Sequence, residues 1–198
     1  MHHACGKVHK MRVIAGSARR LLLKAPAGLN TRPTSDKYKE TLFNVLQPYL
    51  YADTEFLDLF SGSGAIGIEA LSRGVKHAVF VEKARDAIKC IEENLKNTHL
   101  SDRAEVISQD AISALYSLKG KHVFDVIFMD PPYGLGLEEE ALRVLSDSSL
   151  IHPETIIIME VSNETDLSYL HEPGSRFEIM KIKEYKTNSH VFLQVKRL

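Results

Sequence analysis

Cysteine is nearly absent from this chain: there are two in 198 residues, Cys5 in a polar N-terminus and Cys90 inside a helical pattern. That excludes a disulfide framework and a cysteine-ligated zinc site. Long apolar runs are missing as well. No stretch approaches the roughly 20 residues of a membrane helix, and Met-His-His-Ala-Cys-Gly-Lys at the start is too polar for a signal peptide. A cytoplasmic protein without membrane contact is expected. The nine histidines are scattered without ligand spacing, His2-His3 being the one adjacent pair, so no metal is expected. Internal repeats and low-complexity tracts are lacking too.

Net charge is close to nil, at −1, but its distribution is uneven. Residues 1–40 hold nine Lys or Arg against two acids, whereas residues 41–198 hold sixteen against twenty-four. A basic arm on an acidic body suits a polyanionic partner, because phosphate contacts supply most nucleic-acid affinity. With 44% apolar residues the chain can bury one sizeable core. One domain is expected over 11–198: a basic hairpin and helix over 11–52, then a catalytic core over 53–198. Residues 1–10 read as a disordered extension.

The N-terminal runs at 11–15 and 20–23, around Gly16-Ser17, predict a small hairpin presenting Arg12, Arg19 and Arg20. From Thr34 or Ser35 as cap, Tyr38, Leu42, Val45, Leu46 and Tyr49 recur at helical spacing, ending near 48–51. Strand and helix then alternate. Strands are expected near 55–60, 77–82, 104–108, 124–129 and 155–161, with helices near 65–73, 84–97, 110–118 and 137–147. Such alternation predicts a doubly wound parallel α/β sheet. A further helix near 164–171 and two closing strands, 177–185 and 190–195, complete the chain as an antiparallel hairpin.

Two motifs carry chemistry. Asp58-Leu59-Phe60-Ser61-Gly62-Ser63-Gly64-Ala65-Ile66-Gly67 leaves the first strand and enters a helix, with Gly62, Gly64 and Gly67 in G-x-G-x-x-G spacing. Glycines there let backbone approach a ligand, and Glu82, at the end of the next strand, can accept both hydroxyls of a ribose. NAD and S-adenosylmethionine would both use this. Asp58 and Asp130 make the surroundings acidic, with no phosphate clamp in view, which favours a cofactor carrying a cationic sulfur. Asp110, preceding Ala111, is placed either to bond an adenine amino group or simply to cap a helix.

The second motif is Asp130-Pro131-Pro132-Tyr133, which ends the run Val126-Ile127-Phe128-Met129. That run reads as a strand buried on both faces, and proline cannot continue its ladder, so Asp130 falls at the carboxyl edge of the sheet, where ligands bind. Two consecutive prolines fix two φ angles, holding Asp130, the Pro131 carbonyl and the Tyr133 ring in fixed relation. A flat base bearing an amino group suits the arrangement, with the Tyr133 ring rather than its hydroxyl as the working part.

Together these residues resemble the class I S-adenosylmethionine-dependent methyltransferases. More closely, Arg12-Val13-Ile14-Ala15-Gly16, Pro26-Ala27-Gly28, Arg32-Pro33-Thr34 and Glu40 to Leu46 are similar to the N-terminal pattern of the RsmD family, although Lys37 and Lys39 stand where that pattern has arginines. The resemblance covers nearly the whole chain. It implies a Rossmann-like fold with seven strands, mostly parallel and the last antiparallel. It implies methyl transfer from S-adenosylmethionine to the exocyclic N2 of a guanine in small-subunit ribosomal RNA. Catalytic residues would be Asp130, Pro131, Pro132 and Tyr133. The cofactor would be bound by Asp58, Ser61, Gly62, Gly64, Gly67, Glu82, Asp110 and Ala111, with Arg32 and Thr34 bordering it, and RNA by Arg12, Arg19, Arg20 and Lys24. The expected partner is ribosomal RNA or the assembling small subunit, met as a monomer. An adenine-N6 DNA methyltransferase and a non-catalytic RNA-binding assembly factor are the alternatives, and a nicotinamide dehydrogenase comes last.

Overall fold

A computed structural model describes residues 11–26 and 36–196. The proposed extension at 1–10 and the segment containing Arg32 and Thr34 lie outside these residues. Seven strands form one sheet in the order β3-β2-β1-β4-β5-β7-β6: β1 is Glu55–Asp58, β2 His77–Glu82, β3 Ala104–Ser108, β4 Phe124–Met129, β5 Ile151–Ser162, β6 Phe177–Glu184 and β7 Asn188–Val195. β7 runs antiparallel to both its neighbours, and every other pairing is parallel. The expected mostly parallel sheet with an antiparallel final strand is what the chain forms.

Strand alternation sorts the core into two layers. Phe56, Ala78, Phe80, Val126, Phe128 and Ile158 point to one face, under helices α1 (Asp36–Leu46), α2 (Ala65–Ser72) and α3 (Arg85–Thr98). Leu57, Val79, Val81, Ile127, Met129 and Ile157 point to the other, under α4 (Ala111–Leu118) and α5 (Leu137–Ser146). With helices on both faces, the central strands must be apolar throughout, and β4 is buried at five of six positions. Because β1 lies between β2 and β4, the loops leaving β1 and β4 diverge and open a crevice at the carboxyl edge.

Three elements differ from the sequence expectation. Residues 164–171 form only a one-turn 3-10 helix, Ser168–His171, because Asp166 accepts from both the Ser168 amide and hydroxyl, closing a local turn that competes with helix. β5 starts early, at Ile151, with a register shift between Phe124 and Val126 on its partner. The N-terminal hairpin pairs only around one bridge, Arg12 with Leu22, flanked by backbone bonds from Val13 to Leu21 and from Leu23 to Met11, because the amides of Ile14, Ala15, Ser17 and Ala18 turn to Glu69 and Ser72 of α2 instead.

That docking is polar and specific. Buried Glu69 of α2 accepts the amides of Ile14 and Ala15 at 2.8 and 3.0 Å and Arg73 Nε at 2.9 Å. Lys39 Nζ lies 3.7 Å from Glu69 and donates to the Arg12 carbonyl. Lys39 is fully buried, and burial pulls its pKa down despite Glu69, so it joins the arm to α2 and offers nothing to a phosphate. Asn94 of α3 completes the clasp by bonding both backbone groups of Lys24 and the Ser63 carbonyl of the glycine loop.

Candidate active site

The glycine loop is shaped by where its amides must go. Leu59 donates to Phe128 of β4 at 2.9 Å and Ser61 to Val81 of β2 at 3.0 Å, so the chain crosses between two strands within three residues. Gly62 then adopts φ +54°, and a β-carbon there would meet nothing within 4 Å, leaving its backbone open to a ligand. Gly64 leads into α2. Gly67 serves packing instead. A β-carbon there would stand 2.3 Å from the Phe80 ring, so its bare backbone lets α2 approach the sheet.

Glu82 organises this loop directly. One oxygen accepts from Gly62 at 2.9 Å and the other from the amides of Lys83 and Ala84, both at 2.8 Å. Asp58 lies beneath, buried, accepting the Gly67 amide at 2.9 Å and lacking any basic partner among the described residues. Burial raises its pKa to about 7, the Gly67 bond opposing and the charge of Glu82 adding to the rise. Ser61 donates its hydroxyl to the Asp58 carbonyl at 2.7 Å. Asp110 accepts the Ser113 amide at 3.0 Å and caps α4, while Ala111 packs into the core.

Asp130 follows β4, and the pairing of Met129 with Met159 carries it level with Glu160 of β5. It is exposed to solvent and makes no side-chain hydrogen bond or ion pair among the described residues. Protein atoms around the carboxyl, then the charges of Glu160 and Asp58, push its pKa well above the ordinary carboxylate value. Pro131 is buried, while Pro132 and Tyr133 are exposed, Tyr133 at 48%. The Tyr133 hydroxyl also has a partner on β5. It donates to Glu160 Oε1 at 3.0 Å.

Sequence reasoning missed Glu160, which receives four neighbours, and Glu69 and Asn94, which tie the arm to the loop. The one available signal was an acid in an otherwise apolar strand run, Met159-Glu160, one position past the partner of Met129. A different group also escaped the histidine spacing: Glu55, His77 and His122 bring ligand atoms within 4.8 Å of one another at the amino edge. Lys76 already holds Glu55 there at 2.9 Å. A cleft of about 900 Å³, lined by Tyr49, Asp125, His152, Glu154 and Met180 among others, also opens at that edge, away from both motifs.

Comparison with known proteins matches residues 11–194 to the family described as Conserved hypothetical protein 95. The chain is 37% identical over 159 residues to ribosomal RNA small subunit methyltransferase D of Haemophilus influenzae, covering 80% of this chain and 82% of that protein. The chain belongs to the RsmD family. It is 41% identical to YlbH of Bacillus subtilis over 158 residues, 79% of this chain and 85% of the relative. The solved structure of Escherichia coli yhhF superposes with a TM-score of 0.80 at 32% identity, covering 96% of this chain and 99% of that one.

Within this RsmD-family chain, the four basic residues assigned to RNA divide into two pairs. Arg12 is held by Asp36 at 2.7 Å and Lys24 by Glu93 at 2.7 Å. Arg19 and Arg20 are exposed and pair with no acid among the described residues. Exposed ion pairs are worth roughly 0–1 kcal/mol, so a phosphate can displace either acid.

Proposed function

We propose that this protein transfers a methyl group from S-adenosylmethionine to the exocyclic N2 of a guanine in small-subunit ribosomal RNA, acting on that RNA or on the assembling subunit. The observation that carries the reading is Asp130-Pro131-Pro132-Tyr133 on the strand beside β1, one crevice from the glycine loop. The residues present fit the cofactor. Gly62 leaves open backbone, Glu82 offers a ribose acceptor already aimed at the loop, and Asp58 is an uncompensated buried acid able to favour a cationic amino-acid end. Bound there, S-adenosylmethionine supplies an electrophilic methyl group.

The protein must then orient and activate a weak nucleophile. An aromatic amine delocalises its lone pair into the ring. Accepting its two N–H groups at the Asp130 carboxylate and the Pro131 carbonyl favours a more tetrahedral nitrogen and stabilises the positive charge that develops there. Tyr133, half exposed, offers a ring for the base to stack on, and its hydroxyl bond to Glu160 sets the plane of that ring. Asp130, whose pKa is raised by its surroundings, is suited to take up the surplus proton. An unpaired base in an RNA loop reaches such a site at lower unstacking cost than one in a duplex.

The deciding experiment incubates the purified chain with labelled S-adenosylmethionine and bacterial small subunits or their RNA, then digests the product and identifies its nucleosides by mass spectrometry. N2-methylguanosine at one position is expected. N6-methyladenine, in RNA or in DNA offered in parallel, would keep the catalytic motif and replace the substrate.

A further inference from the structure

The four side chains around Glu160 come from three parts of the chain: Tyr38 of α1, Tyr133 after β4, and Asn188 and His190 of β7. Tyr133 Oη donates to Glu160 Oε1 at 3.0 Å. Asn188, at the start of β7, gives one amide hydrogen to the same oxygen and the other to Tyr38 Oη of α1, at 2.8 Å. Tyr38 in turn bonds Glu160. His190, the register partner of Glu160 on β7, is fully buried with Nε2 3.6 Å from Glu160 Oε2, and its Nδ1 lies 3.1 Å from Tyr185 Oη. The Tyr38 ring closes the group, 4.4 Å from Tyr185 and 4.3 Å from His190 between centroids.

Such a cluster is a poor stabiliser in itself, because burying an acid needs every partner in place, and an apolar substitute of equal volume does as well or better. Its geometry points outward. Every member but one is fixed by a helix, a strand or the hairpin turn. That one is Tyr133, on an exposed loop where the two prolines before it fix the backbone but leave the side-chain torsions that set the ring's plane to its own contacts.

We infer that Glu160, held by Tyr38, Asn188 and His190, is a positioning residue for methyl transfer: it fixes the Tyr133 ring, and through the ring the plane of the base presented to Asp130. The inference rests on the reading that Tyr133 stacks on the target base. Glu160 also acts on Asp130 by charge. The titratable groups that act on Asp130 are Asp58 from β1, Glu160 from β5, Tyr133 from its own loop and Tyr38 from α1, while Tyr185 and His190 from the closing hairpin face Glu160. Removing the negative neighbour lets Asp130 ionise at lower pH.

The test is a cycle of Glu160→Gln, Tyr133→Phe and their double variant. Single-turnover rates are read at saturating RNA and cofactor, with cofactor affinity, RNA affinity, melting temperature and the pH–rate profile measured alongside. Glutamine keeps an oxygen for one donor but turns an amide N–H toward the others. Glu160→Gln should slow transfer by about 10- to 100-fold, in keeping with misplacement of a reacting group by an ångström or less. Cofactor affinity should stay within about twofold, and the acid limb of the profile should move to lower pH. Adding Tyr133→Phe should slow the double variant by no more than about a further twofold, since both changes break one connection. Multiplying effects, an unmoved acid limb, or an unchanged rate in a folded Glu160→Gln protein would overturn the inference. If Glu160→Gln fails to fold, Asn188→Ala with Tyr133→Phe provides the same cycle with the acid retained, and multiplying effects there overturn it equally. A parent chain that methylates no nucleic acid defeats the proposed function, whereas an active parent with independent Glu160 and Tyr133 effects defeats only this inference.

Discussion

The two edges of one sheet both carry acids, and those acids keep different company. At the amino edge Glu55 is matched by Lys76 at 2.9 Å and His77 at 3.3 Å, Asp125 by His152 at 3.0 Å, and Glu105 by His122 at 3.3 Å. At the carboxyl edge Asp58 and Asp130 have no basic partner among the described residues, Glu82 is occupied with backbone amides, and Glu160 has a histidine at 3.6 Å. The amino edge holds a cleft of about 900 Å³ and acids that each have a basic or imidazole neighbour. The carboxyl edge holds acids without basic partners, and their burial and mutual repulsion raise the pKa values of Asp58 and Asp130. Unpartnered acids with raised pKa values, rather than the presence of a cleft, are therefore what points to the carboxyl edge as the candidate site.

The sharpest way to break this contrast is Asp130→Ala. It should slow methyl transfer by on the order of 10² to 10³, the usual loss for one electrostatic contact to developing charge. Cofactor affinity by calorimetry should hardly change. Full activity would mean the unpaired acid is incidental.

Glu82→Ala should come next, weakening binding of S-adenosylhomocysteine by roughly 1.5 to 3 kcal/mol. The loss has two sources, the ribose contact and the Gly62 amide that Glu82 now holds. Isothermal titration measures it, and unchanged affinity would reassign the ribose acid.

Asp58 supplies a pH test of the same edge. Its folded pKa, about 7, stands above the ordinary 3.8, so the free folded chain holds a proton that the unfolded chain releases. The associated stability is fully present below the ordinary value and is lost as pH rises through about 7. A cationic ligand favours the ionised form, so cofactor affinity should climb as pH rises toward 7 and level off above it, with proton release on binding. Titrations in buffers of different ionisation enthalpy would detect that proton, and flat affinity from about pH 5.5 to 8 would separate Asp58 from the ligand.

The smallest effect belongs to the other edge. Asp125→Asn should leave the methyl-transfer rate unaltered and shift stability by no more than about 1 kcal/mol, since the pair with His152 is half exposed. Rate loss there would give the amino-edge cleft a part in the reaction.

Much of the site was legible in the sequence because it is built from contiguous motifs. The strand, loop and helix around Gly62 to Gly67, the acid ending β2 and the Asp-Pro-Pro-Tyr ending β4 each announce themselves by local residue order. Helices α2 to α5 fell within two residues of expectation for the same reason: their apolar spacing and flanking glycines are local signals. The segment at 164–171 failed because its apolar residues satisfy a helical period while Asp166 closes a competing turn, a contest that periodicity does not register.

What the sequence determined by itself was the alternation of strands and helices, the glycine loop, the Asp-Pro-Pro-Tyr turn and the basic character of the arm, all set by neighbours along the chain. What only the tertiary structure decided was which residues separated by tens of positions meet. Lys39, a charge that reads as surface, is buried against Glu69 to clasp the arm. Gly67, one of three similar glycines, serves packing against Phe80 rather than a ligand. Glu160, set in an ordinary strand, becomes the anchor of Tyr133 because β7 inserts between β5 and β6 and brings Asn188 and His190 beside it. Hydrogen bonds and ion pairs act over a few ångströms in space, and strand order, not chain order, puts groups within that reach.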